Sequence, residues 1–350
     1  MSAADATPLP TRVLGRSGLR VTRLGLGMAA LGRPGYITLG HGDDLRDHGQ
    51  TTVEGLQAQA ATVLDAAWEA GLRYLDAARS YGRAEAFLAH WLAQRPPAQQ
   101  AAQPPARDLV LGSKWGYTYT ADWRTEAEVH EVKEHGLATL ERQQAESSAL
   151  LGDQLALYQV HSATTSSGVL HDAAVHARLA TLRAERGWAL GLTLSGTESA
   201  ATLRQAVELA DPMDSSRPLF DTVQATWNVL EPSLAPLLAQ AHASGMGVIV
   251  KEALANGRLT PHPDADAPEV LHDLAARLAC SLDQLALAAV LDQPWAHCVL
   301  LGAATTDHLH ANLGALTVLP RLDDAARAIL ASVAETPDTY WATRSRLAWT

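Results

Sequence analysis

The stretch that decides the fold prediction is Gly71-Leu-Arg-Tyr-Leu-Asp-Ala-Ala-Arg-Ser-Tyr-Gly82. It predicts a short strand over residues 73–76, followed by a loop that carries Asp76 and Tyr81. Apolar residues at helical spacing predict a helix over residues 53–68 before it, with Gly71 at the C-terminal cap, and another over residues 84–94 after it. A charged residue at the end of an apolar strand is how a (β/α)8 barrel presents chemistry. The alternative is that Asp76 caps a turn and Tyr81 is a half-buried ring.

Strand-then-helix units recur on both sides of this stretch. Predicted strands, each short and apolar without alternation, cover residues 24–28, 73–76, 108–114, 155–161, 189–195, 221–224, 247–251 and 297–302. Further predicted helices cover residues 171–186, 198–210, 233–244, 269–279, 281–291 and 306–316, and a capping box, Thr125-x-x-Glu128, predicts a long helix from there toward residue 151. Eight units with no break into halves favour an α/β fold of the closed (β/α)8 TIM barrel type over a doubly wound sheet.

The N-terminal region predicts a β-hairpin, because apolar positions alternate over residues 14–23 around Ser17-Gly18. Gly25-x-Gly27 is not a dinucleotide-binding fingerprint, since the third glycine, Gly32, comes too late and no helix pattern opens there. We therefore predict one barrel domain over residues 1–350, with tails at 1–13 and 335–350. Residues 33–50 form a polar loop that is either a lid or an insertion, residues 95–107 a surface linker, and the C-terminal tail either folds over the mouth or packs outside.

Composition narrows the classes of partner. The chain has 350 residues, 47% hydrophobic and 19% charged, which indicates a soluble folded protein. Its net charge of −11 argues against non-specific nucleic-acid binding and against an anionic membrane surface. No apolar run approaches the roughly 18 residues of a membrane span, and residues 1–10 lack the features of a signal peptide. The expected partner is a small molecule.

Cysteine and histidine usage predicts neither a disulfide framework nor a metal site. The chain has two cysteines, Cys280 and Cys298, both in apolar surroundings, which favours core thiols and a cytoplasmic protein. His171 and His176 do not have the i, i+4 spacing of a zinc-binding helix.

The C-terminal ends of the predicted strands carry polar or small residues in register. They are Asp76, Lys114, His161, Ser195, Gln224, Lys251 and Gly302. In a barrel these positions converge at one mouth, so we expect a site there. Trp115, Tyr117, Tyr119 and Trp123 follow Lys114 and predict either an aromatic wall for an apolar substrate or rings packed on the rim.

Four of these residues have a specific chemical use together. A phenol with its ordinary pKa of about 10 is a poor acid at neutral pH, and burial raises that pKa further. We expect the Lys114 ammonium to lower the pKa of Tyr81, Asp76 to keep Lys114 charged and oriented, and His161 to donate to the same oxygen that Tyr81 protonates. The predicted product is a proton donor aimed at a carbonyl.

The chain resembles the aldo-keto reductase family from about residue 14 to residue 316. The resemblance is carried by Leu14-Gly-Arg-Ser-Gly-Leu with Leu24-Gly-Leu-Gly, by Arg73-Tyr-Leu-Asp-Ala-Ala-x-x-Tyr-Gly82, by Lys114 after an apolar strand, and by Leu157-Tyr-Gln-Val-His161. It implies hydride transfer between a carbonyl or alcohol and NADP(H) or NAD(H), with Asp76, Tyr81, Lys114 and His161 as the catalytic tetrad and Tyr81 as general acid.

The resemblance also implies cofactor contacts. Ser195 and Gln224 would hold the nicotinamide carboxamide; the alternatives are a strand-end cap and a satisfied core amide. The segment from Gly302 through Thr305 and His308 to Asn312 would bind the adenosine phosphates, and a helix N-terminus is an anion site by itself.

Departures from the family pattern leave the choice of cofactor open. Lys251 stands where the family often has an aromatic ring, so it either contacts a phosphate or pairs with Glu252. Gly196 replaces an amide side chain beside Ser195, which removes one carboxamide hydrogen bond. The basic residues that often hold a 2′-phosphate are missing, and His308, a weak phosphate partner when neutral, is the only candidate. NADP(H) is favoured by the resemblance and NAD(H) is the alternative.

The predicted function is therefore an NAD(P)(H)-dependent oxidoreductase that interconverts an aldehyde or ketone and an alcohol. Two alternatives remain at this point: an NAD-dependent sugar or alcohol dehydrogenase, and a non-catalytic nicotinamide-binding regulatory subunit.

Overall fold

The computed structural model describes residues 9–47, 52–95 and 109–350. Eight parallel strands close into a barrel, each pairing with its neighbour in chain order and the last with the first. Their bounds are β3 Leu24–Gly27, β4 Tyr74–Asp76, β5 Val110–Trp115, β8 Leu155–Ala163, β9 Ala189–Leu194, β12 Thr222–Thr226, β13 Gly247–Lys251 and β14 Cys298–Leu301. The prediction of a (β/α)8 TIM barrel is confirmed.

Helices surround this barrel and bury apolar faces against it. Their bounds are α1 His41–Asp47, α2 Val53–Glu69, α3 Ala84–Ala93, α4 Leu137–Leu151, α5 Ala173–Arg186, α6 Ser199–Val207, α7 Ala235–Ala243, α8 Glu269–Arg277, α9 Leu282–Leu291, α10 Thr306–Leu313, α11 Ala315–Val318, α12 Asp324–Ser332 and α13 Pro337–Ser345. Local signals fix their ends. The Asp172 carboxylate caps the start of α5 and Gly187, with a φ of 69°, terminates it.

The N-terminal hairpin closes one end of the barrel. Strands β1 Thr11–Val13 and β2 Arg20–Thr22 pair antiparallel around a turn completed by Gly18, whose φ is 70°. Leu14 and Val21 are fully buried against residues of the barrel floor such as Tyr74 and Val110. The predicted hairpin is confirmed, and it leaves the opposite end of the barrel for the site.

One predicted element is wrong. The long helix expected from Thr125 begins only at Leu137, and the preceding residues form an antiparallel hairpin of β6 Tyr117–Tyr119 and β7 Glu131–Lys133. Asp122 and Trp123 adopt positive φ, and the Thr120 amide donates to the His130 carbonyl at 2.9 Å, so the backbone turns back before a helix forms. Cross-strand pairing outweighs the local capping signal here.

Smaller differences follow the same pattern. The helix expected over residues 198–210 ends at Val207, after which β10 Ala210–Asp211 and β11 Asp214–Pro218 form an additional hairpin. The loop expected over residues 33–50 contains α1, while its residues 48–50 lie outside the described part of the chain. Most of the linker expected at 95–107 also lies outside it.

Within the described residues, no single helix is long and apolar enough to cross a membrane. Helices α8 and α9 reach that length and composition only as a pair, which is bent by 85°.

Candidate active site

A cavity of about 630 Å³ opens at the C-terminal ends of the barrel strands. Most of the residues singled out from the sequence line it, namely Asp76, Tyr81, His161, Ser195, Gln224, Lys251, Gly302, His308 and Asn312. Lys114 is 1% exposed and lies behind this surface, and Thr305 does not line it. Parallel strands bring these residues together because their carboxyl ends meet at one face of the barrel.

Lys114 lies between Asp76 and Tyr81. Its ammonium pairs with Asp76 Oδ2, donates to the Ala77 carbonyl at 2.9 Å and lies 3.3 Å from the Tyr81 hydroxyl. Both charged side chains are at most 2% exposed. A buried charge requires a partner of opposite sign, so Asp76 fixes the position of Lys114 beside the phenol.

The second oxygen of Asp76 has its own partners. Asp76 Oδ1 accepts hydrogen bonds from the Tyr74 hydroxyl at 2.9 Å, from Gln159 Nε2 at 3.1 Å and from Gln224 Nε2 at 3.2 Å. These bonds fix the carboxylate from three strands. They also orient the Gln224 amide, because a carboxylate accepts only from its nitrogen, which leaves the Gln224 oxygen as the acceptor.

His161 lies on the other side of Tyr81. The two rings are 5.4 Å apart at 86°, and the His161 ring is 4.9 Å from that of Tyr117. His161 Nδ1 lies 3.3 Å from the Ser80 hydroxyl. Burial, together with the charge of Lys114, holds the pKa of His161 well below its ordinary value, so the imidazole is neutral. A neutral imidazole with one nitrogen near Ser80 has the other ring nitrogen available toward the cavity.

Tyr81 itself is protonated. Burial raises the pKa of its phenol above the ordinary value, the Asp76 carboxylate raises it further, and the Arg33 guanidinium opposes the rise. The expected net lowering of this pKa is therefore not found, because burial, followed by the Asp76 carboxylate, outweighs the nearby cations. The protonated phenol is the form that donates a proton.

Lys251 lines the cavity and pairs with its neighbours, while its expected contact with a cofactor phosphate stays a prediction. Its ammonium donates to Thr226 Oγ1 at 2.9 Å and lies 3.5 Å from Glu252 Oε1. Burial lowers the pKa of Lys251 to about 8, although Glu252 opposes this shift. Glu252 also binds Arg344 of α13, with Nη2–Oε1 at 2.5 Å and Nε–Oε2 at 3.2 Å.

The far end of the cavity is formed by α10 and α1. Thr305 is the N-cap of α10, and its hydroxyl accepts from the His308 amide at 3.1 Å. His308 Nε2 lies 3.6 Å from Asp44 Oδ1, and Asn312 Nδ2 donates to Asp283 Oδ2 at 2.7 Å. His308 and Asn312, two of the three polar residues predicted for this end, therefore face carboxylates.

Sequence reasoning missed a group of residues at the mouth. Arg33 lies 4.7 Å from the Trp349 ring and 5.4 Å from the Tyr81 ring, and it pairs with Glu131 at 3.0 Å. The C-terminal tail reaches this mouth, because the backbones of Thr350 and Tyr36 exchange hydrogen bonds at 3.0 and 3.1 Å. Loop positions carry no periodic signal, so the only hint was the cluster of aromatic residues in the tail.

The tail thus folds over the mouth, one of its two expected positions. Of the four aromatic residues expected as a wall, only Tyr117 lines the cavity. Trp115 is fully buried beneath it, and Trp123 packs edge-on against Phe87 at 6.2 Å. The rim interpretation fits Trp123 better than the wall interpretation.

Comparison with known proteins establishes the class of this chain. The model of the aldo/keto reductase family matches residues 24–335. The chain therefore belongs to the aldo/keto reductase family, as its motifs predicted. Membership and fold support an oxidoreductase of small carbonyl or alcohol compounds.

Solved structures share the fold at low sequence identity. An aldo-keto reductase from Bacillus halodurans, in its holo form, superposes with a TM-score of 0.69 at 20% identity, covering 93% of this chain and 97% of that chain. A Pseudomonas aeruginosa protein assigned to the aldo-keto reductases superposes with a TM-score of 0.61 at 24% identity, covering 88% and 95%.

A curated relative matches over a short stretch only. The pyridoxal 4-dehydrogenase of Microbacterium luteolum is 38% identical over 87 residues, which is 24% of this chain and 20% of that protein.

Proposed function

We propose that this protein interconverts an aldehyde or ketone and an alcohol by hydride transfer with a nicotinamide cofactor, and that Tyr81 is the general acid. The observation that carries the proposal is the contact of Lys114 with both the Tyr81 hydroxyl, at 3.3 Å, and the Asp76 carboxylate, in the wall of a cavity that His161 also lines. A phenol placed beside an ammonium and an imidazole is suited to protonating an oxygen while its carbon receives a hydride.

The tetrad residues act on the carbonyl oxygen. The neutral His161 donates a hydrogen bond that orients and polarises this oxygen. Tyr81 transfers its proton to the same oxygen as the alcohol forms, and the nearby Lys114 ammonium stabilises the phenolate that remains. In the direction of oxidation, the Tyr81 phenolate takes the proton back from the alcohol.

The residues present fit a nicotinamide cofactor, which when bound supplies or accepts the hydride. The Ser195 hydroxyl and the Gln224 oxygen line the cavity without a hydrogen-bond partner among the described residues, and together they match the donor and acceptor of a carboxamide. Gly302 has open space where a side chain would point, so the loop before α10 leaves room for a phosphate near the helix start.

A second candidate, an NAD-dependent dehydrogenase, is favoured by the far end of the cavity. Asp44 and Asp283 bring carboxylates to His308 and Asn312 there. A carboxylate accepts from ribose hydroxyls and repels a 2′-phosphate. The partial similarity to a protein named pyridoxal 4-dehydrogenase supports a dehydrogenase and does not bear on the choice of cofactor. Because of the two carboxylates, we propose NAD(H) ahead of NADP(H), against the preference implied by the family resemblance.

The test is turnover of a panel of aldehydes, ketones and alcohols with NADH, NADPH and their oxidised forms. For Tyr81→Phe we expect kcat to fall on the order of 10²- to 10⁴-fold, because the proton donor is lost while the ring is kept. The dissociation constant of the cofactor, measured by fluorescence, should change little. Full activity of Tyr81→Phe would refute the assignment of the general acid.

The same panel separates the remaining alternatives. A lower dissociation constant for NADH than for NADPH supports the NAD-linked candidate, and the reverse order rejects it. Tight binding of either cofactor without turnover on any compound would favour the non-catalytic regulatory subunit.

A further inference from the structure

Arg33 is a buried cation at the meeting point of four chain segments. Its side chain is 3% exposed. Through Nη1 it donates to the Ser80 carbonyl at 2.8 Å and pairs with Glu131 Oε2 at 3.0 Å. The rings of Tyr81 and Trp349 lie 5.4 and 4.7 Å from its guanidinium carbon. A buried guanidinium is costly unless it is well paired, and among the described residues Arg33 has one carboxylate partner, Glu131.

The backbone next to Arg33 also braces the Tyr81 loop. The Arg83 amide donates to the Gly32 carbonyl at 2.7 Å. A Cβ on Gly32 would come within 2.2 Å of the Tyr81 carbonyl oxygen, and a Cβ on Gly82 within 2.5 Å of the Gly32 carbonyl oxygen. This approach is too close for any other residue type, so the two loops are fitted to each other at the position of Tyr81.

Arg33 also reaches His161 through one intermediate. The Ser80 residue whose carbonyl accepts from Arg33 places its hydroxyl 3.3 Å from His161 Nδ1. Arg33 therefore contacts Tyr81 directly and His161 through Ser80. In the proposed function these are the two groups that interact with the substrate oxygen.

We propose that Arg33 is a positioning residue for Tyr81, and that the Arg33–Glu131 pair sets the position and the electrostatic environment of the phenol. This inference rests on the proposed function of Tyr81. It assigns a role in the reaction to a pair outside the tetrad, contributed by the loop after β3 and by the β6–β7 hairpin.

Arg33 and Glu131 have opposite effects on the pKa of Tyr81. The groups that face the phenol are Asp76 of β4, Lys114 of β5, His161 of β8, Glu131 of β7, Glu252 after β13, and Arg33 and Tyr36 of the loop after β3. Burial and Asp76 dominate the raised pKa of Tyr81; Arg33 opposes this rise and Glu131 adds to it. Loss of Arg33 should therefore move the ionisation of Tyr81 to higher pH, and loss of Glu131 to lower pH.

The experiment compares Arg33→Met and Glu131→Gln in the direction of alcohol oxidation, where Tyr81 acts as a base. For Arg33→Met we expect kcat to fall about 10- to 100-fold, because the phenol is less well placed. In a plot of kcat against pH, the acidic limb, where kcat falls as Tyr81 becomes protonated, should move to higher pH by at least about half a pH unit. For Glu131→Gln the limb should move down. Arg33→Lys, which keeps the charge, should restore most of the profile.

An ion pair outside the cavity, with a more exposed arginine, serves as the control. Arg327 binds Asp292 with two hydrogen bonds, at 2.7 and 3.0 Å. Arg327→Met and Asp292→Asn should leave the pH profile and kcat unchanged. Thermal unfolding and the dissociation constant of the cofactor are measured for every variant, so that a loss of folded protein or of cofactor binding is separated from a loss of positioning.

The outcomes are distinct. Limbs that shift in opposite directions for Arg33→Met and Glu131→Gln support the proposal, since a merely structural role gives no such sign. Unchanged limbs, or shifts in the same direction, overturn it while the proposed function stands. If Arg33→Met does not fold, Glu131→Gln decides alone: an acidic limb that moves to lower pH supports the proposal, and one that is unchanged or moves to higher pH overturns it. Absence of turnover in the wild-type protein overturns both proposals.

Discussion

At the scale of single residues, the surroundings of Lys251 make its charge depend on pH near neutrality. Its ammonium lies in the cavity wall between Thr226 and Glu252, and burial is the largest influence on it. A pKa of about 8 places its ionisation close to neutral pH. The side chain therefore loses its proton under mildly alkaline conditions in the folded protein, which an exposed lysine does not.

This leads to a prediction about stability and pH. Between pH 8 and 10.5 the unfolded chain holds the Lys251 proton and the folded chain does not, so raising the pH favours the folded state by up to about 1.4 kcal/mol per pH unit. The free energy of unfolding of the wild type, relative to Lys251→Met, should rise across this range. Urea denaturation at several pH values measures it. Arg142→Met, at an exposed arginine, is the control and should give a flat difference.

At the scale of elements, the β6–β7 hairpin carries part of the site. It contributes Tyr117 and Glu131 to the cavity wall. Gly116, just before the hairpin, has a φ of 107°, and a Cβ there would come within 2.1 Å of the His135 ring. His135 Nε2 in turn lies 2.8 Å from the His161 carbonyl. The close packing of Gly116 therefore supports the strand that positions His161.

We predict that Gly116→Ala lowers the free energy of unfolding by at least about 1–3 kcal/mol, because alanine is strained at this φ and displaces His135. Urea denaturation measures the loss. Gly136→Ala is the matched control: its φ is −76° and nothing lies within 4 Å of the added Cβ. It should change stability by less than about 1 kcal/mol. Equal losses in the two variants would contradict the argument.

At the scale of the whole molecule, the two ends of the barrel have different roles. The hairpin end is closed by apolar side chains such as Leu14, and the other end carries the cavity. Stability and binding should therefore be separable by mutation at opposite ends.

Leu14→Ala tests this separation. The side chain is fully buried, so its truncation should cost about 2–5 kcal/mol of unfolding free energy. The dissociation constant of the cofactor, measured at a temperature where the variant is folded, should stay within about twofold of the wild type. Val13→Ala, at a residue 44% exposed, should cost less than about 0.5 kcal/mol. A large change in cofactor binding by Leu14→Ala would show that the two ends are coupled.

The sequence by itself determined the barrel, its hairpin and the residues at the strand ends. Buried parallel strands appear in the sequence as short apolar runs. The residue at the C-terminal end of each run lies at the mouth of the barrel, because all eight strands run in the same direction. Asp76, Tyr81, Lys114 and His161 could be found in this way because each lies in the C-terminal half of a strand or in the loop directly after one.

Tertiary structure alone decided what surrounds these residues. Cross-strand hydrogen bonds turned the segment after Thr125 into a hairpin although its capping signal is local and helical. Arg33 and Trp349 lie more than three hundred residues apart in the chain and meet over Tyr81. The pKa of Tyr81 is raised because burial and Asp76 outweigh the neighbouring cations. Loop contacts and the balance of charges at one point depend on the whole fold, and neither leaves a periodic trace in the sequence.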